Sequence, residues 1–420
     1  MIKDLKKLIL NSFYLYLIQG LNYLLPLLSL PFLLATLSNQ SFGIYIYALS
    51  FSQFAILLID FGFNISVTKK ITLLDPNSDE VIKTYWLITF TKFILLVFSV
   101  CFSIAIVYIF PQLELYRKGV FIAFISLIGS VFFPIWLFQG LNKMRTLSII
   151  NALSKLLTYP FLFILVTHET DYIAAIFIQS SSVLLAGVIS VIYINVNYKY
   201  YNKLSLSLFK IKLIKNELYE AWPIFLSNSA ISLYTNSLTV MLGFFTTATN
   251  VGFFGAIERI IRVICFGIYG PVNQACFPVI ARFAVLEFDK AKRLFKVVFY
   301  SLFCLMAFTC AVFLLCEDLI ISHFFSQYHN VKPLLRISIF TIIPIALGGA
   351  CGQLGLLALG TTIQKKIFSN IYIIVGLSSI PVSLLSVFYF KVEGAVFSMM
   401  IVEVSIFLLM FKNVKKYNFL

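Results

Sequence analysis

The chain has 420 residues, of which 60% are hydrophobic and 12% charged, with a mean hydropathy of +0.97 and a formal net charge of +15. Soluble domains carry about 45–50% apolar and about 25% charged residues, so a water-soluble globular fold is excluded and most of this length must cross a bilayer. The apolar runs do not alternate as the strands of a membrane barrel would, and the seven cysteines lack any Cys-x-x-Cys spacing for a metal or a disulfide frame.

The first expected span, residues 11–36, follows the basic start Lys3, Lys6, Lys7. It is too long for a removable leader and offers no small-residue cleavage site, so it is expected to stay as an anchor. Gln19, Asn22, Pro26 and Ser29 recur along it at spacings of 3, 4 and 3, one polar helical face. Further spans are expected at 41–66, 82–109, 118–139, 146–166, 171–195, 219–245, 251–280, 293–316, 333–359, 366–388 and 391–411. Each is near the ~20 residues that a hydrocarbon core requires. The expected fold is therefore all-α, a polytopic membrane protein of about twelve transmembrane helices.

Twelve spans put both termini on one side. Of the 32 Lys and Arg residues, 22 fall in the loops that share a side with the termini, and only Arg117, Lys118, Lys332 and Lys391 fall in the opposite loops. Positive loops stay in the cytoplasm, so both termini are expected there. The net charge then meets anionic lipid headgroups and is not a nucleic-acid footprint. The longest internal linker is basic and separates two halves of six spans: 1–196, the linker 197–218, and 219–420. Ser41–Tyr45, opening span two, is echoed by Asn250–Phe254, opening span eight. Equal halves with a faint repeat suit a two-lobed transporter.

An ionisable group at bilayer depth costs at least about 2.5–3.5 kcal/mol and normally meets a partner or a wet cavity. Lys92 and Lys155 lie deep in spans three and five, Lys155 on one face with Ser148, Asn151 and Tyr159. Glu258, Arg259 and Arg262 lie in span eight and Glu403 in span twelve; Asp60 shares a face of span two with Gln53 and Asn64. Glu258 and Arg262 are spaced to neutralise one another, and Arg336, near an interface, is expected to snorkel. Lys92, Lys155, Arg259 and Arg262 are the candidate cations for an anionic substrate such as a pyrophosphate, because a buried anion needs countercharge that water no longer supplies. Inter-helix ion pairing is the structural alternative. Asp60, Glu258 and Glu403 are the candidate ion-coupling acids, and Gln19, Asn22, Asn64 and Asn151 the candidate polar lining.

No catalytic constellation emerges. His168, His323 and His329 lie in or beside outer loops without a His-Glu-x-x-His spacing, and there is no Gly-x-x-x-x-Gly-Lys-Ser/Thr loop, so ATP hydrolysis is not expected. The longest outer loop, Glu317–Lys332, leaves little room for a polymerase or acyltransferase domain. No cofactor or metal is expected.

Several blocks carry a family resemblance: Leu24–Leu33 with Phe42–Tyr45, Asp60–Ile71, Pro134–Met144, and Gly252–Arg262 with Pro271–Pro278. In these the chain resembles the polysaccharide repeat-unit flippases of the multidrug/oligosaccharidyl-lipid/polysaccharide exporter superfamily, although Asn142 stands where that family often has an acid. The resemblance implies two six-helix lobes around a central cavity and alternating access. It also implies an undecaprenyl-diphosphate-linked oligosaccharide as substrate, the bacterial inner membrane as location, and a polysaccharide polymerase and chain-length regulator as partners. A small-molecule antiporter of the same superfamily is the alternative, and a membrane sugar polymerase or acyltransferase the third.

Overall fold

The computed structural model describes Leu25 and residues 28–72, 74–200, 210–324 and 331–420, and among these no strand occurs. By internal contact the chain divides into two compact units, Met1–Ser229 and Ala230–Leu420. Among the described residues, eight helices are long and apolar enough to cross a membrane. Two further long helices, Ile211–Phe245 and Ala248–Leu286, lie between the fifth and sixth of them. The last of the eight, Ile363–Lys416, spans 54 residues; at about 1.5 Å per residue it is long enough to cross twice. It breaks at Lys391. With residues 28–36 as the described end of the first span, the helices follow the order expected for twelve crossings.

Unit 1 begins with α1 (Asn39–Asp60), capped by the Ser38 hydroxyl, which accepts from the Ser41 amide at 3.3 Å. The helix stops at Phe61 and Gly62, both left-handed at φ 41 and 82, and resumes as α2 (Phe63–Ile71). α3 (Asp79–Ile109) is capped by Ser78 and carries Asp79 and Glu80 in its first turn, where the helix dipole favours acids. A 3₁₀ turn, Pro111–Tyr116, leads into α4 (Arg117–Phe132), which is interrupted before α5 (Ile135–Gly140). α6 (Met144–Leu165) and α7 (Tyr172–Tyr198) follow.

α4 packs closely on α7 and also against α1. A Cβ on Gly129 would lie 2.5 Å from the Leu184 amide nitrogen, so this crossing admits only glycine there. Outward side chains such as Phe93, Val97 and Phe98 on α3 are about half exposed, as a lipid-facing surface requires. Two of the blocks that carry the family resemblance meet in space. α2 packs on α5, and the Thr68 hydroxyl donates to the Trp136 carbonyl at 3.0 Å over a buried cluster that includes Tyr85 and Tyr200.

The division between units falls inside α8 (Ile211–Phe245), which begins ahead of the span expected from residue 219. Its first half belongs to unit 1. There Phe225 stacks on Phe61 at 4.3 Å, and Glu217, nearly buried, pairs with Lys70 at 2.5 Å.

Unit 2 continues with α9 (Ala248–Leu286), capped by Thr247, and α10 (Phe288–Leu315). Then come α11 (Glu317–Phe324), α12 (Val331–Ile339) and α13 (Ile342–Gly349). A π-helical stretch, Ala350–Leu359, precedes α14 (Thr362–Lys416), which opens on a Thr361/Gln364 capping box. Arg336 is clasped by Glu317, its Nε donating to Oε2 at 2.6 Å, with its side chain 54% exposed.

Candidate functional site

In unit 1, two helix breaks converge on Lys92. Asp60 ends α1, where the helix dipole disfavours a carboxylate, and the Lys92 ammonium lies 2.6 Å from its Oδ1. On the other side the same ammonium donates to the Ser130 carbonyl at 2.9 Å. That carbonyl would ordinarily accept from the amide four residues on, but position 134 is proline and has no N–H. Lys92 supplies the missing donor. Its side chain is 1% exposed against 26% for Asp60. A candidate substrate cation and a candidate coupling acid are thus one pair, Lys92 buried and Asp60 partly exposed, that joins α1, α3 and α4. Asn64, four residues past Asp60, keeps a buried Oδ1 without a hydrogen-bond partner among the described residues.

Lys155 is placed differently. It is half-buried on α6, and among the described residues no carboxylate lies within 4 Å of it. Asn151 and Tyr159 flank it one turn away on either side. Tyr159 accepts from the Gln179 Nε2 at 3.1 Å, and Tyr45 donates to the Gln179 Oε1. This tyrosine–glutamine–tyrosine chain ties α6, α7 and α1 together. Gln179 and Tyr45 were not among the candidates from sequence. Gln179 and Tyr45 lie on different helices, 134 positions apart, so no local spacing links them.

In unit 2, Glu258 accepts from Arg262 Nε at 2.8 Å, the pairing expected from their spacing. Glu403 on α14 is 6% exposed and lies within electrostatic reach of both. Among the described residues it has no direct ion-pair or hydrogen-bond partner. Arg259 is half-buried and engaged by a partner. Cys265, Tyr269 and Asn273 continue the Glu258–Arg262 face of α9, and Asn273 donates to Gln353 of the π-helical stretch. Tyr269 Oη and Asn273 Oδ1 remain buried without hydrogen-bond partners among the described residues. Both units therefore hold a polar interior stripe within otherwise apolar helices. Gln19 and Asn22 lie outside the described residues.

No group of three or more His, Cys, Asp or Glu that could hold a metal occurs among the described residues. The two stripes gather acids, cations and amides among otherwise apolar helices.

Helices of this number, length and apolarity define a polytopic membrane protein. The fold is that of the exporter superfamily. A multidrug-resistance transporter of the MATE family in an inward-facing conformation aligns with a TM-score of 0.65 and 14% identity, covering 93% of this chain and 98% of that one. The lipid II flippase MurJ in an inward closed conformation aligns with a TM-score of 0.70 and 15% identity, covering 97% and 87%. Residues 8–284 match the family described as "Polysaccharide biosynthesis protein", and the chain belongs to that family. A relative from Escherichia coli (strain K12) named "Putative O-antigen transporter" is 33% identical over 94% of this chain and 93% of its own length. A Shigella dysenteriae relative of the same name is 29% identical over 96% and 99%.

Proposed function

We propose that this protein flips an undecaprenyl-diphosphate-linked oligosaccharide from the cytoplasmic to the outer leaflet of the bacterial inner membrane, for O-antigen or another surface polysaccharide. Lys155 is the observation that carries the reading. It is a half-buried ammonium with no carboxylate within 4 Å among the described residues, one helical turn from the half-buried Asn151, so its countercharge is free to come from a diphosphate while the Asn151 amide meets sugar. Lys92 is already matched by Asp60 and serves the frame. In the second half, residues 219–420, Arg262 is matched by Glu258 and Arg259 is likewise engaged, while in the first, residues 1–196, Asn64, Gln19 and Asn22 offer polar contacts.

Movement follows alternating access, with Glu403 exchanging the coupling ion and the Glu258–Arg262 pair beside it. A buried acid without a direct partner is the group whose charge changes most readily between states. The O-antigen relatives support the substrate class, and the shared fold supports the transport mode.

The test is deletion of the gene in its host followed by complementation, reading surface polysaccharide and the leaflet of the lipid-linked units. Intact units trapped on the cytoplasmic leaflet, relieved by the plasmid-borne chain, are expected. Units that reach the outer leaflet but stay unpolymerised would give the protein a role after translocation and overturn the reading.

A further inference from the structure

Unit 2 holds a cleft of about 580 Å³ to which no role has been given so far. Asn250 and Phe253 of α9, Leu334 of α12, and Lys391, Glu393 and Phe397 of α14 line it. Three features set it apart from a packing defect. Lys391 sits at φ 50 and ψ −120, a backbone conformation that glycine adopts freely and a lysine does not. Lys391 and Glu393 are both exposed and neither has an ion-pair partner within 4 Å among the described residues, so both charges are available to a guest in one small space. Phe397 presents an open aromatic face, 45% exposed.

The lining chooses the guest by elimination. A phosphate drawn to Lys391 would meet the Glu393 carboxylate, and an alkyl chain would leave both charges and the Asn250 amide facing it. A sugar ring satisfies all of them: its hydroxyls accept from Lys391, donate to Glu393 and do either with Asn250, while its C–H face covers Phe397. We propose that this cleft is a sugar-binding subsite, with Lys391 held in an unfavourable turn so that its ammonium reaches the sugar. The inference rests on the oligosaccharide reading above. It adds a subsite at the end of unit 2 where the charge bias of the loops puts the outer face, so it receives the sugars at the release side. Backbone strain kept at a ligand-facing residue is a known signature of such sites.

Surface polysaccharide is measured in the deletion host carrying wild type, Lys391→Gly, Glu393→Gln, Phe397→Ala or Phe397→Tyr, together with thermal unfolding of each purified protein. Glycine relieves the turn and is expected to raise Tm by about 2–4 °C while export falls about tenfold, the scale of one lost charged hydrogen bond. Glu393→Gln and Phe397→Ala lower export with Tm unchanged, and Phe397→Tyr, which keeps the ring face, retains it. A glycine variant that is no more stable, or that is more stable and exports fully, overturns the subsite. So does full export by both Glu393→Gln and Phe397→Ala. A wild-type chain that restores no polysaccharide instead overturns the oligosaccharide reading, and the subsite with it.

Discussion

Lys92 and Lys155 are the same residue type at similar depth, and their surroundings give them opposite work. The Lys92 ammonium is shared between the Asp60 carboxylate at 2.6 Å and the Ser130 carbonyl at 2.9 Å. Removing one member of a buried pair leaves the other uncompensated, a loss of about 3–5 kcal/mol. Lys92→Met and Asp60→Asn are each expected to lower the unfolding temperature of the purified protein sharply, and the double variant to recover much of the loss. Strictly additive damage in that cycle would show that the two side chains are not coupled. Lys155→Gln has no such partner to strand. Its unfolding temperature should stay near that of wild type while export in the complemented host falls at least tenfold, the scale of one charge-assisted contact of about 1.4 kcal/mol or more. A folded Lys155→Gln protein with normal export would remove Lys155 from the substrate path. Both lysines were visible in the sequence by depth alone. Their difference was not, because it depends on a carboxylate 32 positions away for one and the lack of any for the other, and contacts between helices leave no local pattern.

Hydropathy located the spans well and the breaks within them poorly. Spans 41–66 and 118–139 read as continuous, because averaging over some twenty residues hides a two-residue interruption. In the structure they divide at Phe61–Gly62 and at Phe133–Pro134, and the physical causes, a left-handed glycine and a proline, stood in plain view. These elbows place Asp60 and free the Ser130 carbonyl, so half of the Lys92 site follows from punctuation residues. Gly62 carries a second constraint: at φ +82 an added Cβ would also lie 2.9 Å from the Phe225 amide nitrogen. Gly62→Ala should therefore destabilise unit 1 by about 1–3 kcal/mol, read as a lower unfolding temperature, whereas an unchanged value would mean that the elbow relaxes without loss. The α11–α12 corner offers a pH test. Hydrogen bonds from Arg336, then from Lys332, hold the Glu317 carboxyl down to about 2 from its usual 4.5. A depressed folded-state pKa stabilises fully above the unfolded value and fades as pH falls through the folded one. The difference in unfolding temperature between wild type and Glu317→Gln should thus be constant near neutrality, shrink below pH about 4.5, and vanish near pH 2. A gap that persists at the acid end would mean that the clasp does not depend on the carboxylate charge.

Across the whole chain, loop charge is the strongest statement about orientation, and it is independent of every contact described above. The loops on the side of the termini hold 22 Lys and Arg residues; Arg117, Lys118, Lys332 and Lys391 are the four on the other. Retention of positive loops in the cytoplasm acts on each hairpin as it inserts, so the bias repeats along the sequence and does not rest on one segment. A reporter that is active only in the cytoplasm, fused after Leu420, should be active on the full chain, and the same reporter inserted at Lys391 should be silent. A reporter active only outside should give the reverse pair. Activity of the cytoplasmic reporter at both positions would mean that residues 392–411 do not cross, which would leave eleven spans and place Glu403 outside the bilayer. Silence at the terminus with activity at Lys391 would invert the protein, and the cleft around Lys391 would then face the cytoplasm as an entry site for sugar rather than a release site.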